Sequence, residues 1–128
     1  MAKRFTDTEL WNQDWFIEMP SEYKLFYFYV KDACDHAGIF KVNLKMFCYI
    51  NGVNISAEKA VEYFNKDKLR IYEITSDRWL LVDFFAFQYG HKFNFNNKLH
   101  ESVRKILEAE GVSLNTLRGI VEDLDTPT

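Results

Sequence analysis

The stretch from Ser21 to Gly38 constrains this chain most. Tyr23, Phe26, Val30, Ala33 and Ala37 recur at steps of three and four residues, and Leu25, Phe28 and Tyr29 widen that stripe until most of a helix is apolar. So little polar surface is tolerable in water only if neighbouring elements cover the helix on several sides. The pattern therefore predicts a central helix, capped by Ser21 and ended by Gly38. The rest of the 128 residues must be arranged around it.

On the N-terminal side, Trp11 and Trp15 lie four apart in "FTDTELWNQDWFIEMP", which predicts a short helix with both indoles on one face, capped by Asp7 or Thr8 and stopped by Pro20. On the other side, "IFKV" (Ile39 to Val42) is β-rich and too short for a helix. Asn43 is placed to cap a helix that turns Leu44, Phe47, Cys48 and Ile50 inward, with Asn51 and Gly52 as its stop. After the turn "NGVN", Ser56 caps a third helix burying Ala57, Ala60, Val61 and Phe64. Leu69 to Thr75 and Arg78 to Phe85 read as a hairpin about Ser76 and Asp77. Leu99, Val103, Ile106 and Leu107 mark a further helix closed by Gly111, and Leu114, Leu117, Ile120, Val121 and Leu124 mark a last one capped by Ser113.

The stretch "VDFFAFQYGHKFNFNNKLH" (residues 82 to 100) reads as the second hairpin strand running on past the hairpin into the core. Phe84, Phe85 and Phe87 would wedge between the helix pair and the helix that follows, and Gly90 would allow a sharp exit.

At 48% hydrophobic and 17% aromatic, one domain can bury an adequate core without disulfides. Cys34 and Cys48 sit in apolar stretches and read as buried free thiols of a reducing compartment. No apolar run approaches membrane-spanning length, and no charged segment followed by an apolar one opens the chain. The expectation is a soluble, unexported protein without a membrane partner.

Charge is uneven. Of 16 Lys/Arg and 19 Asp/Glu, residues 1 to 22 hold two and five, and residues 106 to 128 hold one and five. The body between is weakly basic, well short of a dedicated DNA binder's footprint.

The order helix, short strand, helix, turn, helix, hairpin is that of a winged helix-turn-helix, an α+β and mainly α fold in which the hairpin wing pairs with Ile39 to Val42. The expected organisation is a winged-helix domain with an N-terminal extension over residues 1–110, then a C-terminal helix and the start of a linker over 111–128. In such a fold one helix of the pair enters the major groove and the hairpin grips the backbone beside it. Lys59, Glu62 and Lys66 fall on the outer face of the third helix, with Tyr63 and Glu58 at its flanks. Glu62 repels phosphates unless it pairs with Lys66 or reads a cytosine amino group. A mixed Lys/Glu face is more often simply solvated. Lys45, Lys59, Tyr63, Lys66, Arg78, Lys92 and Lys98 are the expected DNA-contacting residues, with Lys41, Arg104 and Lys105 as further phosphate contacts.

"KRFTDTELWNQDWF" (Lys3 to Phe16), "DACDHAGIF" (Asp32 to Phe40), "FFAFQYG" (Phe84 to Gly90) and "HESV" (His100 to Val103) together resemble the N-terminal domain of phage replisome organisers. These are replication-initiation proteins related to the DnaD-like primosome components. The resemblance spans roughly residues 3 to 107 and implies a winged helix that binds origin DNA or organises assembly in the cytoplasm of a bacterial host. It also implies a helicase or helicase-loader contact in a C-terminal region beyond Thr128, where a full-length organiser continues. "FQYG" is a signature of the resemblance, with Gln88 and Tyr89 open between a structural and a binding role.

Other chemistries find little support. Cys34 and His36 point to different faces of a helix, and no CxxC or HxxxH occurs, so no metal is expected. His91 and His100 are isolated. Both thiols lie on apolar faces where a thiolate is costly. Asp32 and Asp35 are placed for local hydrogen bonding near Gly38. Without a phosphate-cradling glycine loop or a convergent polar site, the chain reads as non-enzymatic and free of cofactors. The rival reading is a protein-docking or self-associating module with little DNA contact, carried by the Leu114, Leu117, Val121, Leu124 stripe, the net charge of −3 and Glu62.

Overall fold

The computed structural model describes residues 3–84 and 98–112. A 3-10 turn at Leu10–Asn12 leads into α1 (Asp14–Ile17), followed by α2 (Ser21–Ala33), β1 (Ile39–Lys41), α3 (Leu44–Asn51), α4 (Ala57–Phe64), β2 (Ile71–Thr75), β3 (Arg78–Leu81) and α5 (Lys98–Ala109). The strands form one antiparallel sheet in the order β1-β3-β2. The expected pairing of the short first strand with the hairpin is present, with Phe40 opposite Trp79 and Ile39 opposite Leu80.

α2 is the centre, and Phe26 is its pivot. This side chain is 0% exposed. Its ring lies 4.9 Å from Phe47 of α3, 6.2 Å from Phe64 of α4, 6.0 Å from Phe40 of β1 and 6.2 Å from Trp79 of β3. Edge-on contacts dominate, as ring quadrupoles favour. The breadth of the apolar stripe is thus explained by three layers of neighbours, although Leu25 and Ala33 remain exposed.

Alternation along the strands splits the interior in two. Phe40, Ile71, Trp79 and Leu81 face α2, α3 and α4, whereas Ile39 and Leu80 face the opposite way and join Val103 and Leu107 of α5 and Val112 beyond it. Both faces of the small sheet are therefore covered. Arg78 beside the hairpin turn ion-pairs with Asp77 at 3.0 Å and approaches Glu110 past the end of α5 at 3.9 Å. His36 and Ser102 make a 2.9 Å side-chain hydrogen bond that ties the turn after α2 to α5.

Several boundaries differ from the sequence reading, each for a local reason. Trp11 and Trp15 do not share a helix face, because Gln13 is extended between the 3-10 turn and α1. Its side chain is held there, donating to Asp7 at 3.2 Å and accepting from the Trp15 indole N–H at 2.6 Å. Trp15 is buried while Trp11 is exposed. Ser21 opens α2 without capping it: Pro20 is the cap residue, and its carbonyl accepts from Tyr23 and Lys24. α2 ends at Ala33 rather than Gly38, since Cys34 is extended and Asp35 Oδ1 accepts from the amides of Ala37 and Ile39, closing a separate turn. That local role for Asp35 matches expectation.

β3 stops at Leu81 instead of running toward Gly90. It ends where both of its partners begin: the Leu81 amide bonds to Gly38 O and the Val82 amide to Arg70 O. Phe84 does enter the core as expected. Residues 85–97 and 113–128, including Phe85, Phe87, Gln88, Tyr89 and the whole Leu114, Leu117, Val121, Leu124 stripe, lie outside the described residues.

Gly38 has φ +84, and a Cβ there would sit 2.8 Å from Phe84 Cβ, so this glycine fixes both the turn and the seam. Gly52 has φ +64 with open space around it. In chemical denaturation, Gly38→Ala should cost about 2 kcal/mol or more and Gly52→Ala about 1 kcal/mol. Equal costs would show that Phe84 does not pack on Gly38. Phe26→Ala should cost about 3–5 kcal/mol, the range for deleting a fully buried ring, and Phe28→Ala, which is half-buried, clearly less.

Candidate nucleic-acid interface

The α3–turn–α4 unit is built from strong local signals. The Asn43 side chain accepts from the Met46 amide at 3.4 Å, and Gly52 ends α3 in the left-handed conformation. Ser56 Oγ accepts from the Lys59 amide at 3.1 Å, as its sequence position predicts. Tertiary contacts then orient α4. Tyr23 Oη of α2 accepts from the Ser56 amide at 3.2 Å, and the Tyr23 and Tyr63 rings sit 4.9 Å apart. At the other end Asn65 Oδ1 accepts from the amides of Arg70 and Ile71, both at 2.8 Å, while its Nδ2 donates to Ile71 O at 3.0 Å. One side chain thus clamps the exit of α4 to the start of β2.

Arg70, which the sequence reading passed over, completes that clamp. Its guanidinium donates to Phe64 O at 3.0 Å, pairs with Asp67 and lies 3.7 Å from the centre of the Trp15 ring. A cation at the end of α4 is favoured by the unsatisfied carbonyls and the helix dipole, and the indole adds a cation–π contact. The isolated Arg between Leu69 and Ile71, five residues after Asn65, was the available signal.

The expected DNA-contacting residues fare differently. Lys59 is exposed on α4 and Lys45 on α3, and Lys41 is exposed at the end of β1; none of the three carries an ion pair among the described residues. Lys66 lies past the end of α4 and pairs with Glu18 of the α1 region at 2.8 Å, so the Glu62–Lys66 pair that would relieve the repulsion of phosphates by Glu62 is not made. That hydrogen bond raises the Lys66 pKa. Tyr63 is half-buried against Tyr23. Arg78 is engaged by Asp77 and Glu110, and Arg104 by Glu101 and Glu108. Lys92 lies outside the described residues, and Lys98 opens α5 with its side chain outside them. Of the helix positions expected to face inward, Ile50 is 65% exposed.

A sequence signal missed by helix-by-helix reading explains the surviving set. From His36 to Ala57 there is no Asp or Glu, and this run holds Lys41 and Lys45. Lys59 comes just after the Glu58 that ends this run, and Glu58 and Glu62 are exposed with it on α4.

A cleft of about 140 Å³ between α1, α2 and the end of β3 is lined by Trp15, Tyr27, Lys31, Lys68, Arg70 and Asp83 among others. Its charges are internally matched. Arg70 is held as described, Lys68 pairs with Asp83 at 3.2 Å, and Lys31 Nζ donates to Phe5 O at 3.4 Å. Burial pushes the Tyr27 phenol up to about 12 and lowers the Lys31 pKa. Burial also raises the Cys34 thiol to about 11, which keeps it a packing residue at neutral pH. Among the described residues no group of three or more His, Cys, Asp or Glu could hold a metal, and no helix is long and apolar enough to cross a membrane.

Comparison with protein-family models, curated proteins and solved structures returns no match.

The Asp67 carboxyl is held below its ordinary value, chiefly by the hydrogen bond from Arg70. A depressed folded-state pKa contributes stability above the unfolded value, about pH 4 for an aspartate, and that contribution is lost as pH falls through the lower folded value. Asp67→Asn should therefore lower stability at neutral pH and flatten the fall in stability below about pH 4. An acid titration followed by circular dichroism would show it, and parallel curves for the two proteins would exclude the linkage.

Proposed function

We propose that this chain is a non-enzymatic DNA-binding module of the winged-helix type, with the α3–α4 unit as its contact surface. The observation that carries the reading is the union of topology and charge. A helix pair with a tight turn sits between a short strand and a hairpin, the strand closes a β1-β3-β2 sheet, and Lys41, Lys45 and Lys59 stand exposed and uncommitted on that pair and the strand before it. Three lysines that form no ion pair among the described residues are available to displace counterions from a polyanion.

The reading narrows the set of contacts. Lys66 and Arg78 belong to intramolecular ion pairs, so neither the exit of α4 nor the hairpin turn offers free positive charge at these residues. Glu58 and Glu62 keep α4 from lying flush on phosphates along its whole length, which leaves the acid-free α3 side to approach the backbone, with Lys59 reaching it from α4. The resemblance to phage replisome organisers supports an origin-DNA role for such a module.

Binding of a duplex oligonucleotide should weaken with salt at a slope of about −3 in log K against log salt, as expected for about three phosphate contacts. Lys59→Glu should reduce affinity about tenfold or more through one lost contact and an added repulsion, and Lys66→Ala should change it little. Fluorescence anisotropy measures both. Absence of duplex binding at low salt, or binding indifferent to Lys59→Glu, would overturn the reading.

A further inference from the structure

The exposed apolar side chains of this protein are not scattered. Residues 5 to 23 contain five acids (Asp7, Glu9, Asp14, Glu18, Glu22) and no Lys or Arg, whereas residues 36 to 57 contain two lysines and no acid. Six of the seven large apolar side chains exposed among the described residues fall in these two segments, Leu25 being the exception.

In the basic segment they form one face. Lys45, Met46, Tyr49 and Ile50 of α3 are linked by three- and four-residue spacings into one contiguous strip of the helix surface, and Met46 is 52%, Tyr49 87% and Ile50 65% exposed. In the acidic segment Trp11 is 59% and Ile17 47% exposed, among Glu9 and Asp14, which carry no ion pair among the described residues. Clustered exposed apolar groups rimmed by charge mark interaction surfaces.

We infer that the α3 face, Lys45, Met46, Tyr49 and Ile50, docks on the acidic segment 9–17 of a second copy of this chain, where Trp11 and Ile17 are exposed. Charge complementarity selects the occupant. A two-fold contact of α3 with α3 would set Lys45 against Lys45 and leave the acidic face unused. A contact of unlike faces instead matches apolar to apolar and lysine to carboxylate. Because a joined pair retains one unused face of each kind, one on each copy, the contact propagates from copy to copy into a ring or an open chain rather than stopping at a dimer. The inference does not depend on DNA binding. Lys59 of α4 lies outside the contact, and Lys45 is the one residue that both uses share.

The test uses the full chain in sedimentation velocity at low salt over a range of concentrations. The wild type should show species beyond the dimer that grow with concentration and shrink with salt. Tyr49→Glu and Ile17→Glu should each reduce this to monomer, while Lys59→Glu leaves it intact. An equimolar mixture of the Tyr49→Glu and Ile17→Glu proteins retains one good pair of faces and should form a dimer and nothing larger. The milder Tyr49→Ala should weaken association about tenfold, which guards against a folding defect in the glutamate variants, as does an unchanged melting temperature. A wild type that stays monomeric, or a mixture that stays monomeric while the wild type associates, would overturn the proposal.

Discussion

The ring of Phe26 is the constraint on which the rest of the structure depends. It stands at the middle of α2 and touches aromatic rings from β1, α3, α4 and β3. These contacts join elements distant in sequence, so the cost of ordering the intervening chain is offset largely at one place. The same packing sets the orientation of α4, since Phe64 stacks on Phe26 while Tyr23, three residues earlier on α2, holds the α4 N-terminus through the Ser56 amide.

The second organising fact is that the sheet is covered on both faces. Alternate residues of three short strands feed two hydrophobic groups, one shared with α2, α3 and α4 and the other with α5. A hairpin packed in this way differs from one projecting freely into solvent. Arg78 shows the consequence: beside the turn, where a basic side chain could reach a nucleic-acid backbone, it is drawn toward Asp77 and Glu110. Electrostatic availability, which matters for a polyanion partner, is therefore settled by which lysines and arginines the fold leaves without a carboxylate.

Where sequence reasoning failed, tertiary competition was the cause. Lys66 was placed beside Glu62 by helical spacing, but the helix ends at Phe64 and Glu18 lies within reach across the fold. The Trp11–Trp15 pair was broken by one side chain, Gln13, whose two hydrogen bonds hold an extended residue inside an otherwise helical pattern. β3 was drawn too long because a run of apolar residues says nothing about where partner strands stop. Asn65, outside every predicted element, and Arg70, one position of a predicted strand, proved to be the link between α4 and the sheet.

By itself the sequence determined the succession of elements and some of their ends: the caps at Asn43 and Ser56, the left-handed stops at Gly52 and Gly111, the wide apolar stripe of α2, and the segregation of acids before residue 24 from the acid-free run after Asp35. These are local properties, fixed by side-chain hydrogen bonding, backbone sterics and periodicity over a few residues. Tertiary structure alone decided which charges stay free and which apolar side chains stay outside. Both depend on what the fold brings within a few ångströms across tens of residues, and neither Lys66 nor Ile50 carries that information in its neighbours along the chain.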